Sequence, residues 1–432
     1  MIRVINIRTQ KTYKRLESGM SFNSFLIIGF TGVLEHIQYA LDTGITLHLL
    51  IEESRYKPEY DHYFSSVTRV KNIFDIDEIE DKLATKNITH VLTRFEDYIG
   101  VSGAINDLLG LDGFTYRTAR NFSNKYTMKK RWIMNSVPCA DGICVDDISA
   151  IDPFLATHSF PLILKKTSGT HSNFVFKVAS KEDLLAKIST CKLSGYSVAK
   201  PMVHDKVECD LLLETLLAGD EITVDTFVSG ERFTHTPICQ YILPEEVECN
   251  DSYLPVRYAP VKLNKSLENK IFATVEAALR ALGAKNCVCH TELFISKKTD
   301  EVWLIESAVR SGGHRSKIIN TITSSDYNKA IFLAKMGMEI PSFEQNGLAC
   351  SVIEYFADKE GNISRLNLDF LNNFKEQIDV DKVRYTLGDR VKRAQDGGKS
   401  IVELAITSKE SNRIREISKQ IFLLLQQNIV IS

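Results

Sequence analysis

Apolar positions along the chain fall into short runs broken by polar turn residues, and their spacing divides the chain into three regions. In the first, about residues 1 to 115, Phe22–Phe30 (FNSFLIIGF) is an apolar run of strand length. Gly29 and Gly32 punctuate it, and Val33–Leu41 then has helical spacing. Thr46–Ile51 and Ile88–Thr93 read as two further strands. Strands alternating with helices predict a parallel α/β layer. The Gly29-Phe-Thr-Gly32 turn is not a full GxGxxG, and a tight strand-to-helix turn accounts for it.

The second region, about 116 to 345, opens with a predicted helix over Asn124–Met134. Met128 and Trp132 mark its apolar stripe, and Lys125 lies at its start. A strand over Phe160–Lys165 is followed by the polar loop Lys166-Thr-Ser168-Gly-Thr-His-Ser172 and a second strand over Phe174–Val178. Strand, polar loop and strand, with a lysine at the entry, can fold over phosphates, with loop amides and hydroxyls as donors. Leu211–Glu214 reads as an apolar strand, Gly219 as a turn, and Glu221 as the start of the next strand. Leu216 and Leu217 could flank a flat base and Glu221 could accept ribose hydroxyls; taken alone, the segment is a plain hairpin.

The third region, about 346 to 432, alternates strands with turns at Asp358–Gly361 and Asp396–Gly398. It ends in a helix with Ile414, Ile417, Ile421, Leu424 and Leu425 on one apolar face.

The most informative segment runs from His290-Thr-Glu292 to Ile305-Glu306. It reads as a β-hairpin with its turn near Lys297–Asp300. With the turn centred on Thr299, Glu292 falls opposite Glu306 and His290 opposite Ala308. Alternation then puts Leu293, Ile295, Trp303 and Ile305 on an apolar face, and His290, Glu292, Glu306 and Arg310 on the other. Opposed carboxylates repel, so a cation is expected between them, and a hard cation such as Mg²⁺ suits carboxylate oxygens. Two unrelated glutamates on a solvated face are the alternative. Arg310-Ser-Gly-Gly313 follows at once, a cation and pliant backbone beside the pair. His290 and His314 could orient a carboxylate or serve as structural donors, and neither is counted as catalytic.

Composition narrows the partners. Lys plus Arg is 53 against 55 Asp plus Glu, a net charge of −2, so the basic excess that nucleic acid calls for is missing. No apolar run reaches the roughly 20 residues of a membrane helix. Arg3, Arg8, Lys11, Lys14 and Arg15 have no adequate apolar stretch after them, so no secretory leader is expected. The nine cysteines lack zinc-site spacing, which predicts reduced, mostly buried thiols in a cytoplasmic protein.

In order, Lys125, Leu162–Lys165, Glu214–Glu221, Glu292, Ile305-Glu306 and Arg310–Gly313 resemble the motifs of the ATP-grasp superfamily, over about residues 116 to 320. The HTE and E…RxGG pattern is similar to that of its L-amino acid ligases. The resemblance implies an ATP-grasp fold of mixed α/β and α+β class. It implies an N-terminal parallel α/β domain (1–115), an ATP-grasp domain (116–345) with a lid at about 138–212, and a small C-terminal α+β domain (346–432). It implies ATP and Mg²⁺ as cofactors and small-molecule carboxylate and amine substrates, with a homodimer as the expected assembly. Lys125 and Lys165 resemble the phosphate lysines, and residues 167–173, with Ser168, the phosphate lid. Glu214–Leu217, through Glu214, Leu216 and Leu217, resembles the adenine hinge, and Glu221 the ribose partner. Glu292 and Glu306 resemble the metal ligands, and Arg310 the arginine for the substrate carboxylate or its phosphorylated form.

Two departures stand out. Many members carry Asn where this chain has Ala308, and the lid is poor in glycine and holds His171. The implied activity is ATP-dependent joining of a carboxylate to an amine through an acyl phosphate. A ligase of non-amino-acid carboxylates and a nucleotide-binding regulatory protein without catalysis are the rival readings.

Overall fold

The computed structural model describes residues 23–30, 34–168, 175–193, 209–249 and 254–432. Most of the expected 167–173 loop lies outside these, as does the stretch before residue 23.

The N-terminal layer is a four-stranded sheet in the order β3-β2-β1-β4, built from β1 (Ser24–Ile28), β2 (Thr46–Glu52), β3 (Ser66–Val70) and β4 (His90–Leu92). Every pairing is parallel. All five residues of β1 are buried, as a central parallel strand covered on both faces requires. Helices α1 (Leu34–Thr43), α2 (Ile76–Leu83) and α3 (Ile99–Leu108) connect and follow the strands. Gly29, at the end of β1, has φ +76, and a Cβ there would crowd the Tyr98 ring. The strand over Ser66–Val70 was not foreseen.

Two capped helices lead onward. Thr115 caps α4 (Tyr116–Ser123) and Asn124 caps α5 (Lys125–Met134), each side chain accepting the backbone N–H three residues on, in the first turn of the helix. A four-stranded antiparallel sheet follows, in the order β5-β8-β6-β7: β5 (Gly142–Cys144), β6 (Leu162–Lys166), β7 (Val175–Val178) and β8 (Leu211–Thr215). The short α6 (Ile151–Leu155) and the longer α7 (Lys181–Leu193) complete this layer. Cys144 and Cys209 form a disulfide here, with Cα atoms 5.8 Å apart. This departs from the expectation of reduced thiols throughout. The β5–β8 pairing brings together two cysteines 65 residues apart, which no local pattern reveals.

The largest sheet has nine strands, in the order β14-β13-β9-β11-β12-β15-β19-β17, with β10 also on β9. They are β9 (Asp220–Ser229), β10 (Arg232–His235), β11 (Cys239–Ile242), β12 (Val256–Ala259), β13 (Cys287–Ile295), β14 (Val302–Ala308), β15 (Ala349–Tyr355), β17 (Gln377–Val383) and β19 (Val402–Ser408). Gly219 is where the chain crosses from the smaller sheet into β9, and a Cβ there would collide with the Ile295 carbonyl. A small antiparallel sheet of β16 (Gly361–Leu366), β18 (Arg390–Val391) and β20 (Ile429–Ile431) sits beside the C-terminal strands.

The faces of the large sheet differ. Ile222, Val224, Val228, Cys289 and Leu293 point toward α8 (Lys265–Leu282) and Trp132 of α5. Ile353, Leu404 and Ile406 continue that face under α11 (Ile414–Asn428). Phe227, Val288 and Val352 point the other way, into a core shared with α9 (Arg315–Ile322), α10 (Tyr327–Lys335) and the N-terminal sheet. By strand alternation Glu221, Thr223, Asp225, His290 and Glu292 share this second face.

Candidate functional site

The hairpin β13–β14 pairs Glu292 with Glu306 and His290 with Ala308, as expected. Beyond Glu292 the register slips by one, so Leu293 pairs with Leu304. Ile305 is the extra residue of this β-bulge. The expected apolar face is corrected accordingly: Leu293 and Ile295 are buried with Val302 and Leu304, while Trp303 and Ile305 are only half-buried. One inserted residue reverses the alternation on β14 and leaves both glutamates on the open face.

Strand β9 adds to that face. Thr223 lies opposite Glu292, and Glu221 opposite Phe294. Three carboxylates therefore converge. Burial, and then the charges of Glu292 and Glu306, push the Glu221 carboxyl well above its ordinary value. Lys125 Nζ stands 3.0 Å from Glu306. Burial works against ionised Glu306, but Lys125 and Lys165 outweigh it and hold its pKa down to about 2.

Asn124 places Lys125. Besides capping α5, its amide donates to Thr167 Oγ1, and the Lys125 N–H donates to the Thr167 carbonyl at 2.8 Å. The first turn of α5 is thereby tied to the end of β6, where the polar loop begins. Ser168 is half-buried at that point; the loop beyond it is outside the described residues.

A second cluster lies beside the first. Glu214, at the end of β8, is buried between Lys165 of β6 and Lys129 of α5, the latter at 2.9 Å. Burial opposes its charge, yet the two ammonium groups hold the carboxyl below its usual range. Burial also lowers the Lys165 pKa, with Glu214 resisting. Lys129 is one helical turn past Lys125 and was not singled out from sequence, because a lysine on a helix reads as solvated. The signal was its i+4 spacing from Lys125. Leu216 is exposed and Leu217 half-buried on the stretch joining β8 to β9.

Arg310 leaves the end of β14 and pairs through Nε with Glu96 of the N-terminal layer. Glu96 is 214 positions away in the chain and carried no local signal. The turn continues through Gly312 and Gly313 to His314, whose Nε2 is 3.2 Å from Glu354 on β15. Arg315, fully buried, donates to Thr223 Oγ1 and to the Gly313 carbonyl and so fastens the loop to β9.

The charged residues expected at the site thus lie near one another, where the smaller sheet meets the large one. Lys125, Lys165 and Glu214 are linked with Lys129, and Glu221, Glu292 and Glu306 sit beside them. Arg310 closes one end. Converging carboxylates with a lysine paired to one of them suit a hard divalent cation, and adjacent buried lysines suit a polyanion.

Comparison with known proteins agrees with this geometry. Residues 158–318 match the family model of the ATP-grasp domain. An L-arginine-specific L-amino acid ligase of Bacillus subtilis is 25% identical over 214 residues, covering 46% of this chain and 50% of that protein. An alanine–anticapsin ligase of B. subtilis strain 168 is 23% identical over 279 residues, covering 60% of this chain and 54% of that protein. The matched parts span about half the length of these curated relatives. The crystal structure of an L-amino acid ligase from Bacillus licheniformis superposes with a TM-score of 0.75 at 16% identity, covering 97% of this chain and 99% of that one. No helix among the described residues is long and apolar enough to cross a membrane. The chain carries an ATP-grasp domain within an ATP-grasp fold, and its relatives include amino acid ligases.

Proposed function

We propose that this protein is an ATP-dependent carboxylate–amine ligase acting on amino acids, and that it joins them through an acyl phosphate. The single observation that carries this reading is the juxtaposition of three carboxylates, Glu221, Glu292 and Glu306, with a lysine-rich cluster and Arg310 on one face.

A carboxylate is a poor acyl donor because oxide is its leaving group. Moving the γ-phosphoryl group of ATP onto the carboxylate oxygen makes phosphate the leaving group, and the amine then forms the C–N bond as ADP and phosphate depart. Phosphoryl transfer calls mainly for positioning and charge stabilisation, which this set of residues can supply without a nucleophile.

In this reading Lys125 and Lys165 bind the phosphates, with Ser168 at the start of the loop that covers them. Lys165 exchanges its pairing with Glu214 for a phosphate oxygen, while Lys129 keeps Glu214 ionised in place. Leu216 and Leu217 flank adenine, and Glu221 accepts from the ribose. Glu292 and Glu306 would hold Mg²⁺, which would supply Lewis-acid charge during phosphoryl transfer. Arg310, steered by Glu96, receives the substrate carboxylate and later its phosphate. The N-terminal layer thereby helps set the carboxylate subsite. Residues 1–115, 116–345 and 346–432 are read as the three functional units, with a lid at about 138–212.

The test is phosphate release from Mg-ATP against amino acids, singly and in pairs, for the wild type and Glu306→Gln. A particular pair should be required, and the variant should lose about 10³-fold in rate, as expected when a preorganised charge partner of the transferring group is removed. Tight ATP binding with no release under any pair would turn the assignment to a non-amino-acid carboxylate or to a nucleotide-binding regulator.

A further inference from the structure

Asp225 lies in the middle of β9, completely buried, and binds neither ATP nor the amino acid in the reading above. Three donors from three separate elements converge on it. The Nδ1–H of His290, on β13, donates to Oδ1 at 2.5 Å. The N–H of Gly312, in the loop after β14, donates to Oδ2 at 2.9 Å. The Tyr327 hydroxyl, on α10, donates to the same oxygen. The imidazole reaches onward, its Nε2 3.5 Å from Oε1 of Glu292. Gly312 fits only as glycine, because a Cβ there would stand 2.5 Å from the His290 ring.

Asp225 is thus the point at which two halves of the site meet. Through His290 it touches the strand bearing Glu292. Through Gly312 it grips the loop whose first residue is Arg310. An acyl phosphate forms only if the substrate carboxylate and the γ-phosphate are held in a fixed relation, and small misplacements are costly. A shared buried acceptor sets that relation more rigidly than two independent anchors.

We propose that Asp225, acting with His290, is a positioning residue that locks the Glu292 carboxylate and the Arg310–Gly313 loop into one geometry. This rests on the ligase reading, in which Glu292 binds the metal.

The experiment is titration calorimetry of ATP binding to the full chain across a Mg²⁺ series, with no amino acid present. Its readout is the Mg²⁺ concentration at which ATP affinity is half-maximal. Asp225→Asn should raise that concentration about tenfold, the usual consequence of removing a partner one step behind a metal ligand. His290→Gln should raise it similarly, since it breaks the link to Glu292 while leaving the Asp225–Gly312 bond; it also carries the test if Asp225→Asn does not fold. Tyr327→Phe, which touches neither half of the site, should lower the melting temperature without moving the Mg²⁺ requirement. An unchanged Mg²⁺ requirement in His290→Gln, or in a folded Asp225→Asn of lowered melting temperature, would overturn the proposal and leave Asp225 a structural residue. Wild-type ATP binding that ignores Mg²⁺ would instead overturn the metal assignment of Glu292 and Glu306, and this inference with it.

Discussion

Two glutamates seven positions apart, Glu214 and Glu221, flank the passage from the smaller sheet to the large one, and their surroundings are opposite. Glu214 is pinned between Lys129 and Lys165, so its cluster holds two ammonium groups and one carboxylate. Glu221 faces Glu292 and Glu306, and Lys125 pairs with the Glu306 member of that trio. One cluster has positive charge to spare and its neighbour has negative charge to spare. Neither imbalance suits a partly buried site left to itself. Both are relieved at once by a polyanion on the lysines and a cation on the carboxylates, as a metal–nucleotide complex would provide.

The largest expected effect tests the first half of this contrast. Glu214→Gln leaves two buried lysines without their carboxylate. Breaking a buried pair costs about 3–5 kcal/mol, so the empty protein should melt at a markedly lower temperature. ATP would then replace part of the missing negative charge. The nucleotide-induced rise in melting temperature should therefore be larger in Glu214→Gln than in the wild type. A smaller rise would mean that Glu214 itself contacts the nucleotide, as its place in the hinge motif implies.

Glu221→Gln should have the opposite sign. The folded-state pKa of Glu221 is raised above its ordinary value of 4.5 by burial and by its neighbouring carboxylates. A raised pKa contributes stability that is complete below the unfolded value and is lost as pH rises through the folded one. At neutral pH, then, the residue costs stability in the empty protein. Glu221→Gln should melt higher than the wild type at neutral pH without nucleotide or metal, and the difference should vanish at about pH 4, where both states carry the proton. A lower melting temperature for the variant at neutral pH would mean that Glu221 is paired with a cation and that the contrast with Glu214 does not hold.

How far this was readable from sequence follows from the range of each signal. The Glu292–Glu306 pairing was legible from the short turn, although the turn centres just before Thr299 and the bulge makes up the difference. The bulge at Ile305 was not, since a single extra residue leaves no mark on composition, and it moved the buried set from Trp303 and Ile305 to Val302 and Leu304. The parallel layer was legible from its apolar runs, but Ser66–Val70 (SVTRV), an edge strand of mixed polarity, was missed. Lys129 and Glu96 escaped for one reason: each gains its meaning from a partner distant in the chain, Glu214 and Arg310. Asp225 escaped because its three donors come from β13, the loop after β14, and α10.

The smallest effect concerns the passage itself. Leu216 is 37% exposed, so its side chain contributes little to the core. Leu216→Ser should therefore change stability by no more than about 0.5 kcal/mol, the range of ordinary surface substitutions. If the passage receives adenine, the same side chain loses roughly half its exposed apolar area to the base, and removing it should raise the KM for ATP a few-fold, about 1 kcal/mol of lost contact. The KM for the amino acids and kcat should stay near wild type, because the charged clusters on either side are untouched. A fall in kcat with unchanged ATP affinity would place Leu216 in the coupling between the two sheets rather than against the base. The difference between Glu214 and Glu221 would then reflect how the sheets are joined, and not where the nucleotide lies.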